Sequence, residues 1–392
     1  MFYPHSIFII GAGAMARAIA YDFRNIEPKY PLIVLDNDRT TLTRLTDFIG
    51  AEDVQTIQGD AGDLDLLKRL MSGAAASIGA ASYRYHYEAA RTAVHTGSHW
   101  LDLGGNPDVV ARQFALHADA VKAGVGVIPD CGLAPGMINI LAGELARRLD
   151  EVKELHLRVG GLPQNPQPSL FYGLVFSPEG LANEYYEPAR IIEDGLVRQV
   201  ESLTGWERVY FGAPFGTLEA FHTSGGSSTL IDTFKGKIQT LDYKTLRYAG
   251  HLRRIKLLKD LGLFSPESMN FHKIPSSPSV SPRQVLGCLL EETIGWCKED
   301  LVAVKAWAYG RRNNRMLRVE CSLVDYYDAK TNLTAMARTT GFPAAIIARM
   351  LADKRVLDAG VLKQEVSIDS QAFMSELRAR GIVIDFRELS AL

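Results

Sequence analysis

The sequence predicts an α/β protein in two parts. A doubly wound parallel sheet comes first, and an α+β domain with a mixed sheet follows. Three observations predict this. Short apolar runs alternate with amphipathic helical segments over the first third of the chain. A glycine-rich loop, GAGAMA (11–16), directly follows the first run and opens a helix. From residue 154 onward, strand-like segments alternate apolar and polar residues, as strands with one solvated face do.

SIFII (6–10) is a short Ile-rich run and reads as a buried strand, with the helix opening GAGAMARAIAYDF behind it. PLIVLD (31–36) is a second buried strand, ending in Asp36. TTLTRLTDFIG (40–50) reads as helix, VQTIQGD (54–60) as strand, DLDLLKRLMSG (63–73) as helix and AAASIGAA (74–81) as a weaker fourth strand. HYEAARTAVHTG (86–97) is a helix closed by Gly97, since glycine readily takes the left-handed C-terminal position. HWLDLGG (99–105) is a fifth strand, PDVVARQFALHADAVKAG (107–124) one helix and VGVIPDCG (125–132) a sixth strand.

In the middle, ELHLRVGGL (154–162), LVFSPEGL (174–181), LEAFHTSG (218–225), KIQTLDYKTLRYAGH (237–251), VKAWAYGRR (304–312) and LRVECSLVDYYD (317–328) read as strands. The Pro- and Ser-rich stretch 269–283 reads as a loop before the helix VLGCLLEETIGWC, and the last sixty residues return to helix. No internal repeat or low-complexity segment is visible. The expected domains are 1–130, 131–333 and a C-terminal helical segment 334–392.

At 392 residues the chain suits two or three domains of ~100–200 residues each. Its 47% hydrophobic and 22% charged residues exclude intrinsic disorder and a disulfide scaffold. A formal net charge of −2 gives no electrostatic case for nucleic acid or an anionic membrane as partner. No apolar stretch of ~18 residues is present, so no transmembrane helix is expected. Cys131, Cys288, Cys297 and Cys321 form no C-x-x-C pair. That usage fits a reducing cytoplasm and argues against a zinc site.

The loop carries the first functional signal. Gly11 permits the tight turn, Gly13 lets backbone approach a pyrophosphate, and Ala16 allows close helix–strand packing. Ala14 and Met15 lie at the helix N-terminus, whose dipole favours an anion. Asp36 lies twenty residues past Ala16 at the end of the next strand, with Asn37 beside it. Such an aspartate holds the ribose hydroxyls of NAD and repels the 2′-phosphate of NADP, although Arg39 could accommodate a phosphate. Asp60 is placed to cap the adenine edge, or alternatively the helix at 63–70. Ala80, Ala81, Ser82 and Tyr83 follow the fourth strand and are expected beside the nicotinamide ribose. Asp102, Asp130 and Cys131 follow the fifth and sixth strands, nearest the expected hydride-transfer position.

DCGLAPGMINILAGEL (130–145), GGLPQNPQPSLFYGLVFSPEGLANEY (160–185), TSGGSSTLIDTFKGKIQTLDYKTLRYAGH (223–251) and ARTTGFPAAIIARMLAD (337–353) resemble the saccharopine dehydrogenase superfamily, and within it the lysine 6-dehydrogenase branch. The resemblance implies an N-terminal Rossmann domain, a substrate and dimerisation domain on a mixed sheet, and C-terminal helices returning to the first domain. It implies oxidation of a carbon–nitrogen bond with NAD, and a homodimer or larger even homo-oligomer. In the lysine branch, L-lysine, NAD and water yield allysine, NADH and ammonia, and allysine cyclises to piperideine-6-carboxylate. Saccharopine and carboxynorspermidine dehydrogenases are the neighbouring branches.

This chemistry needs a base near the reacting amine, for which Asp102 and Asp130 qualify by position and His222 and His251 by type. It needs no covalent thiol, so Cys131 is a contact at the reaction centre or a small buried filler. Arg247 suits the substrate carboxylate, since guanidinium matches carboxylate geometry, and the resemblance implies an arginine there. Glu179, Asn183 or Tyr172 are the acceptors for an α-ammonium. A saccharopine-type substrate would demand further cations, for which Arg190, Arg198, Arg208, Arg253, Arg254, Arg311 and Arg312 are available. A non-catalytic NAD-binding protein would keep the glycine loop and Asp36 but lack the polar cluster.

Overall fold

Apolar runs covered on both faces favour parallel pairing, because βαβ connections place helices on each side of the sheet. In a computed structural model, which describes residues 4–27, 29–212, 215–269 and 279–390, these runs form β1 (Ile7–Ile10), β2 (Leu32–Asp36), β3 (Val54–Gln58), β4 (Ala76–Gly79), β5 (His99–Asp102) and β6 (Gly126–Ile128). They lie in the order β6-β5-β4-β1-β2-β3, all parallel, with the short strand Gly360–Val361 beside β6. The core on this sheet is built from Phe8, Ile10, Ile33, Leu35 and Trp100, with helical residues such as Leu67 and Leu70. The strand order reverses between β1 and β4, which is where ligands bind in sheets of this kind.

The helices between these strands are α1 (Ala14–Tyr21), α2 (Arg39–Ile49), α3 (Leu64–Met71), α4 (His86–Thr96), α5 (Pro107–Phe114) and α6 (His117–Ala123). Gly97 ends α4 in the left-handed conformation, at φ 75°. The single helix expected over 107–124 is two, broken at Ala115–Leu116, where Leu116 turns into the core.

The chain divides into two units. One runs to Glu144 and takes in Ala337–Ile384, and the other comprises Leu145–Met336 with the segment from Asp385 on. The first unit thus extends past the expected boundary at residue 130. Helix α7 (Met137–Arg147) ties back to its own unit: Glu144 accepts from Ser370 Oγ at 2.7 Å and Gln371 Nε2 at 2.8 Å. The returning segment is also held by the buried Asp22, which receives Arg349 Nη2 at 2.8 Å and Arg380 Nη2 at 3.1 Å.

The second unit is a mixed sheet. Its strands are β7 (Glu151–Pro163), β8 (Ala189–Glu193), β9 (Leu196–Val200), β10 (Glu207–Gly212), β11 (Gly216–His222), β12 (Thr240–Tyr248), β13 (Asp300–Arg312) and β14 (Arg315–Tyr326). The order is β10-β11-β12-β7-β13-β14, with Asp385–Ser390 beyond β14. Only β12 and β7 pair in parallel along this path. Residues 385–390 are therefore a strand rather than the end of a helical tail.

LVFSPEGL is not a strand. Ser177 caps a helix, α8 (Pro178–Tyr186), accepting from the Gly180 amide, and Pro178 and Glu179 occupy its first turn. Serine at the cap, proline at the first position and an early acid all favour a helix start. The hairpin β8–β9 has a signal in the sequence, Asp194-Gly195, with φ 52° and 76°, since a two-residue turn of this kind needs both residues left-handed. The helix His251–Asp260 follows Gly250 at φ 96°. Most of the loop expected at 269–283 falls on 270–278, outside the described residues; Pro282–Thr293 is helix behind a Ser281–Gln284 capping box.

Candidate functional site

The glycine loop in the first unit has the form a dinucleotide needs. Gly11 sits at φ 101°, and a Cβ there would lie 2.8 Å from the Ala80 carbonyl oxygen. Only glycine lets the ends of β1 and β4 come this close, where the Ala80 amide donates to Ile10 O at 2.8 Å. A Cβ on Gly13 would meet nothing within 4 Å. Gly13 caps α1 with no side-chain partner, Gly13 and Ala14 are exposed, Met15 is half-buried and Ala16 is buried. The start of α1 is thus open at Gly13 and carries no side-chain cap, and a pyrophosphate fits there.

Asp36 is held against this loop. Its carboxylate accepts the Ala12 amide at 2.7 Å and the Asp38 amide at 2.9 Å. Asn37 is exposed, and its carbonyl accepts Gln58 Nε2 at 3.2 Å. Asp60 is exposed and closes a local turn on the Gly62 amide at 2.8 Å, whereas the cap of α3 is Asp63, which accepts from Leu66 at 3.0 Å. The capping role considered for Asp60 therefore belongs to Asp63. Ala81 and Ser82 are half-buried after β4. The Ser82 hydroxyl has no hydrogen-bond partner among the described residues. The Tyr83 ring packs 3.3 Å from where Gly105 would carry a Cβ.

Asp102 is buried and densely hydrogen-bonded. It is 1% exposed, and its two oxygens receive Trp100 Nε1 at 3.0 Å, Gln113 Nε2 at 2.6 Å, the Gly104 amide at 2.8 Å and the Asp130 amide at 3.3 Å, with His86 Nδ1 3.4 Å away. Burial pushes this carboxyl up, but His86, Gln113 and Trp100 outweigh it and hold it below its ordinary value. With both oxygens engaged it anchors the exits of β5 and β6. Asp130 takes φ 64°, and Gly104, at φ 78°, leaves room for its carboxylate. The Asp130 carbonyl accepts Gln364 Nε2 at 2.7 Å. Cys131 is fully buried, its Sγ donating to Ile128 O at 3.3 Å. Burial and the nearby Asp102 and Asp130 push its thiol well up, so it stays protonated rather than a reactive thiolate.

The second unit brings Arg247, Tyr172 and His251 together. Arg247, near the end of β12, is 2% exposed and lies 4.8 Å from the Tyr172 ring centroid. Its Nε donates to Tyr185 Oη at 2.9 Å and its Nη1 to Leu246 O at 3.0 Å. The Tyr185 hydroxyl is 3.0 Å from His251 Nε2, and His251 Nδ1 is 2.8 Å from Leu170 O. The carbonyl can only accept, so Nδ1 carries the proton, Nε2 accepts from Tyr185, and Tyr185 accepts from Arg247. Burial, then the Arg247 charge, push His251 down to about 3, so the imidazole stays neutral and this relay keeps one direction. His251 is thereby held as a neutral hydrogen-bond acceptor behind Tyr185.

Of Arg158, Arg247 and Arg349, the arginines among the largest fully buried side chains, Arg158 pairs with Asp242 and Glu207, and Arg349 with Asp22. Arg247 has no carboxylate within ion-pair distance among the described residues. Burial alone would lower its value, but Tyr185, Tyr172 and Glu184 raise it, so it remains a cation.

Two residues here carried no sequence signal. Tyr185 is the hinge of the relay. Glu184 carries a carboxyl that loss of solvation pushes up to about 7 against the opposing pull of Arg247. Asn183 is buried, its Oδ1 accepting from Arg283 Nη1 at 2.6 Å. Glu179 lies in the first turn of α8. His222 does not join this group. The register pairs Phe221 with Thr245, so Phe221 shares the face of Thr245 and Arg247, and its ring stacks on His251 at 6.4 Å. Strand neighbours point to opposite faces. His222 consequently lies with Lys244 and Asp242, its Nδ1 3.4 Å from Tyr243 O, on the face opposite Arg247.

Among the described residues no three His, Cys, Asp or Glu side chains are grouped as metal ligands. Nor is any helix long and apolar enough to cross a membrane. Residues 7–128 match the family described as saccharopine dehydrogenase NADP binding domain, and 132–382 the saccharopine dehydrogenase C-terminal domain. The chain is 25% identical over 258 residues to the saccharopine dehydrogenase [NADP(+), L-glutamate-forming] of Saccharomyces cerevisiae, covering 64% of this chain but only 56% of that relative. It is 20% identical to the carboxyaminopropylagmatine dehydrogenase of a Synechocystis species, over 96% of both chains. The solved apo saccharopine dehydrogenase (L-Glu forming) from S. cerevisiae superposes with a TM-score of 0.79 at 18% identity, covering 98% of this chain and 100% of that one. With family matches running from residue 7 to residue 382 across both units, the chain belongs to the saccharopine dehydrogenase family.

Proposed function

We propose that this family member oxidises the ε-amine of L-lysine with NAD. L-Lysine, NAD and water would give allysine, which cyclises to piperideine-6-carboxylate, together with NADH and ammonia. The observation that carries the reading is Arg247, a buried guanidinium without a carboxylate partner, braced from behind by Tyr185 and His251. A buried cation left unpaired is costly, and an anionic ligand relieves that cost. The α-carboxylate of an amino acid has the charge and the planar shape to do so.

A bound nicotinamide would supply the acceptor for a hydride from the substrate carbon. The residues of this chain that would hold it are Gly11 and Gly13 at the pyrophosphate, the first turn of α1, and Asp36 at the adenosine ribose. The Asp36 carboxylate favours NAD, because a 2′-phosphate would meet its charge. Arg39, exposed in the first turn of α2, is the feature that favours NADP, as used by the yeast relative named above. Arg247 fixes the substrate carboxylate, while Tyr185 and His251 keep the guanidinium oriented.

Saccharopine is the second reading, favoured by the family match. Its extra dicarboxylic arm needs more cations. Several arginines considered for that purpose are engaged: Arg190 with Asp232, Arg198 with Glu193, Arg311 with Glu151 and Arg312 with Glu388. Arg208, Arg253 and Arg254 do not appear in an ion pair among the described residues, so this reading is weighed by assay. Purified protein with NAD should develop NADH absorbance on addition of L-lysine. Turnover only with saccharopine would replace the lysine reading, and turnover only with NADP would replace the cofactor.

A further inference from the structure

The group around Arg247 is dipolar. Glu184 lies in the last turn of α8, next to Tyr185, and its half-buried side chain makes no hydrogen bond or ion pair among the described residues. The backbone that carries it is fixed. The Ser224 amide donates to Glu184 O at 3.0 Å, and Ser224 Oγ donates to Asn183 O at 3.1 Å. Two buried donors nearby are also unspent. The Tyr172 hydroxyl has no hydrogen bond of good geometry among the described residues, only the Val175 amide near it, and Asn183 Nδ2 has none.

We infer that Glu184 receives the α-ammonium of an α-amino acid whose carboxylate lies on Arg247. This rests on the reading of Arg247 as carboxylate anchor, and it assigns the second half of the head group. Opposite charges in a partly desolvated setting attract strongly, yet Glu184 and Arg247 are not in ion-pair contact. Each feels the other's field, as do Tyr172 and Tyr185. A zwitterionic head group, with its carboxylate and ammonium on one carbon, bridges such a pair by opposing each charge with its complement. The Tyr172 hydroxyl supplies a further donor for the carboxylate.

The arrangement makes recognition depend on pH. Loss of solvation pushes Glu184 up to about 7, and an ammonium binds its ionised form. The groups that share its field are Arg247 and Tyr243 on β12, Tyr185 on α8, and Tyr172. Arg247 and these tyrosines are all raised, so none of them changes charge near neutrality.

The test is calorimetric titration of the full chain with saturating NADH, with which the amine cannot be oxidised, comparing ligand pairs that differ only in the α-amine. The pairs are L-lysine with 6-aminohexanoate, and L-glutamate with glutarate; saccharopine is titrated as well. The wild type should prefer the amine-bearing member by about tenfold or more, the scale of a charge-assisted hydrogen bond. Glu184→Gln should bring that ratio towards unity, and Glu184→Asp should keep part of it. In the wild type, where no folding question arises, the ratio should fall as the pH is lowered through about 7. An unchanged ratio in Glu184→Gln, equal weakening of both members, or a pH-independent ratio in the wild type overturns the inference. If L-glutamate binds with the predicted dependence and L-lysine does not, the lysine reading falls and the Glu184 assignment stands. If no amino acid binds, both fall.

Discussion

A guanidinium taken out of water without a counter-ion costs several kcal/mol, so a protein keeps one there only for a ligand or a purpose. Arg247 meets that description, and Tyr185 and His251 show that its orientation is specified. Replacing it by lysine retains charge but loses the planar fork. Arg247→Lys should raise the lysine KM about 100-fold, in line with ~2–5 kcal/mol for disrupting a buried hydrogen-bonded charge pair, while the NAD dissociation constant stays unchanged. Steady-state kinetics with a fluorescence titration of cofactor checks both. Asp36→Ala should weaken NAD at least about tenfold and narrow its advantage over NADP, as loss of a charged hydrogen-bond acceptor does; the same titration with the two cofactors checks it.

Glu184 gives a signed stability prediction. Its folded value of about 7 lies above the ordinary one of ~4.3, so the fold favours the protonated acid. That contribution is fully present below about pH 4.3 and is lost as the pH rises to about 7. Glu184→Gln should therefore melt higher than the wild type at pH 8, with the gap closing towards pH 5. At this scale the sequence was legible where the chemistry is local. The tight turn at Gly11, the open approach at Gly13 and the placing of Asp36 beside the loop are local features that spacing announces. Glu184 was not legible, because its character comes from Arg247 and loss of solvation, which tertiary neighbours supply. The separation of His222 from Arg247 was not legible either, because the face of His222 depends on the β11–β12 register, which no local pattern states.

At the scale of elements, the approach of β1 to β4 depends on a single residue without a Cβ. Gly11→Ala would place a methyl 2.8 Å from the Ala80 carbonyl oxygen at φ 101°. A left-handed non-glycine conformation alone costs ~1–2 kcal/mol. This variant should melt several degrees lower and lose most NAD affinity. A thermal melt and a cofactor titration measure the two effects, and full affinity would remove the loop from the cofactor site. The parallel strands were legible because their apolar runs are continuous and bounded by turns. Helix α8 replaces the expected strand because the apolar run LVF stops at serine, proline and glutamate, which in that order favour a helix start. The hairpin at Asp194-Gly195 and the strand at 385–390 are not among the elements the sequence predicts. The first has a local signal, while the second gains its structure from pairing with β14, a partner distant in sequence.

Across the whole molecule, the predicted change of architecture from a parallel to a mixed sheet is what the chain adopts, and the segment after residue 337 joins the first unit up to Ile384. The nucleotide loop belongs to one unit and the carboxylate anchor to the other. The central claim of the proposed oxidation is that the bond broken lies at the ε-carbon of lysine. L-Lysine deuterated at C6 tests that claim directly, by mass spectrometry of the reduced cofactor after turnover with NAD. The proposal predicts deuterium in NADH from the C6 label, none from a C2 label, and release of ammonia in step with NADH. Deuterium arriving from C2, or no transfer from lysine while saccharopine is oxidised, would contradict it.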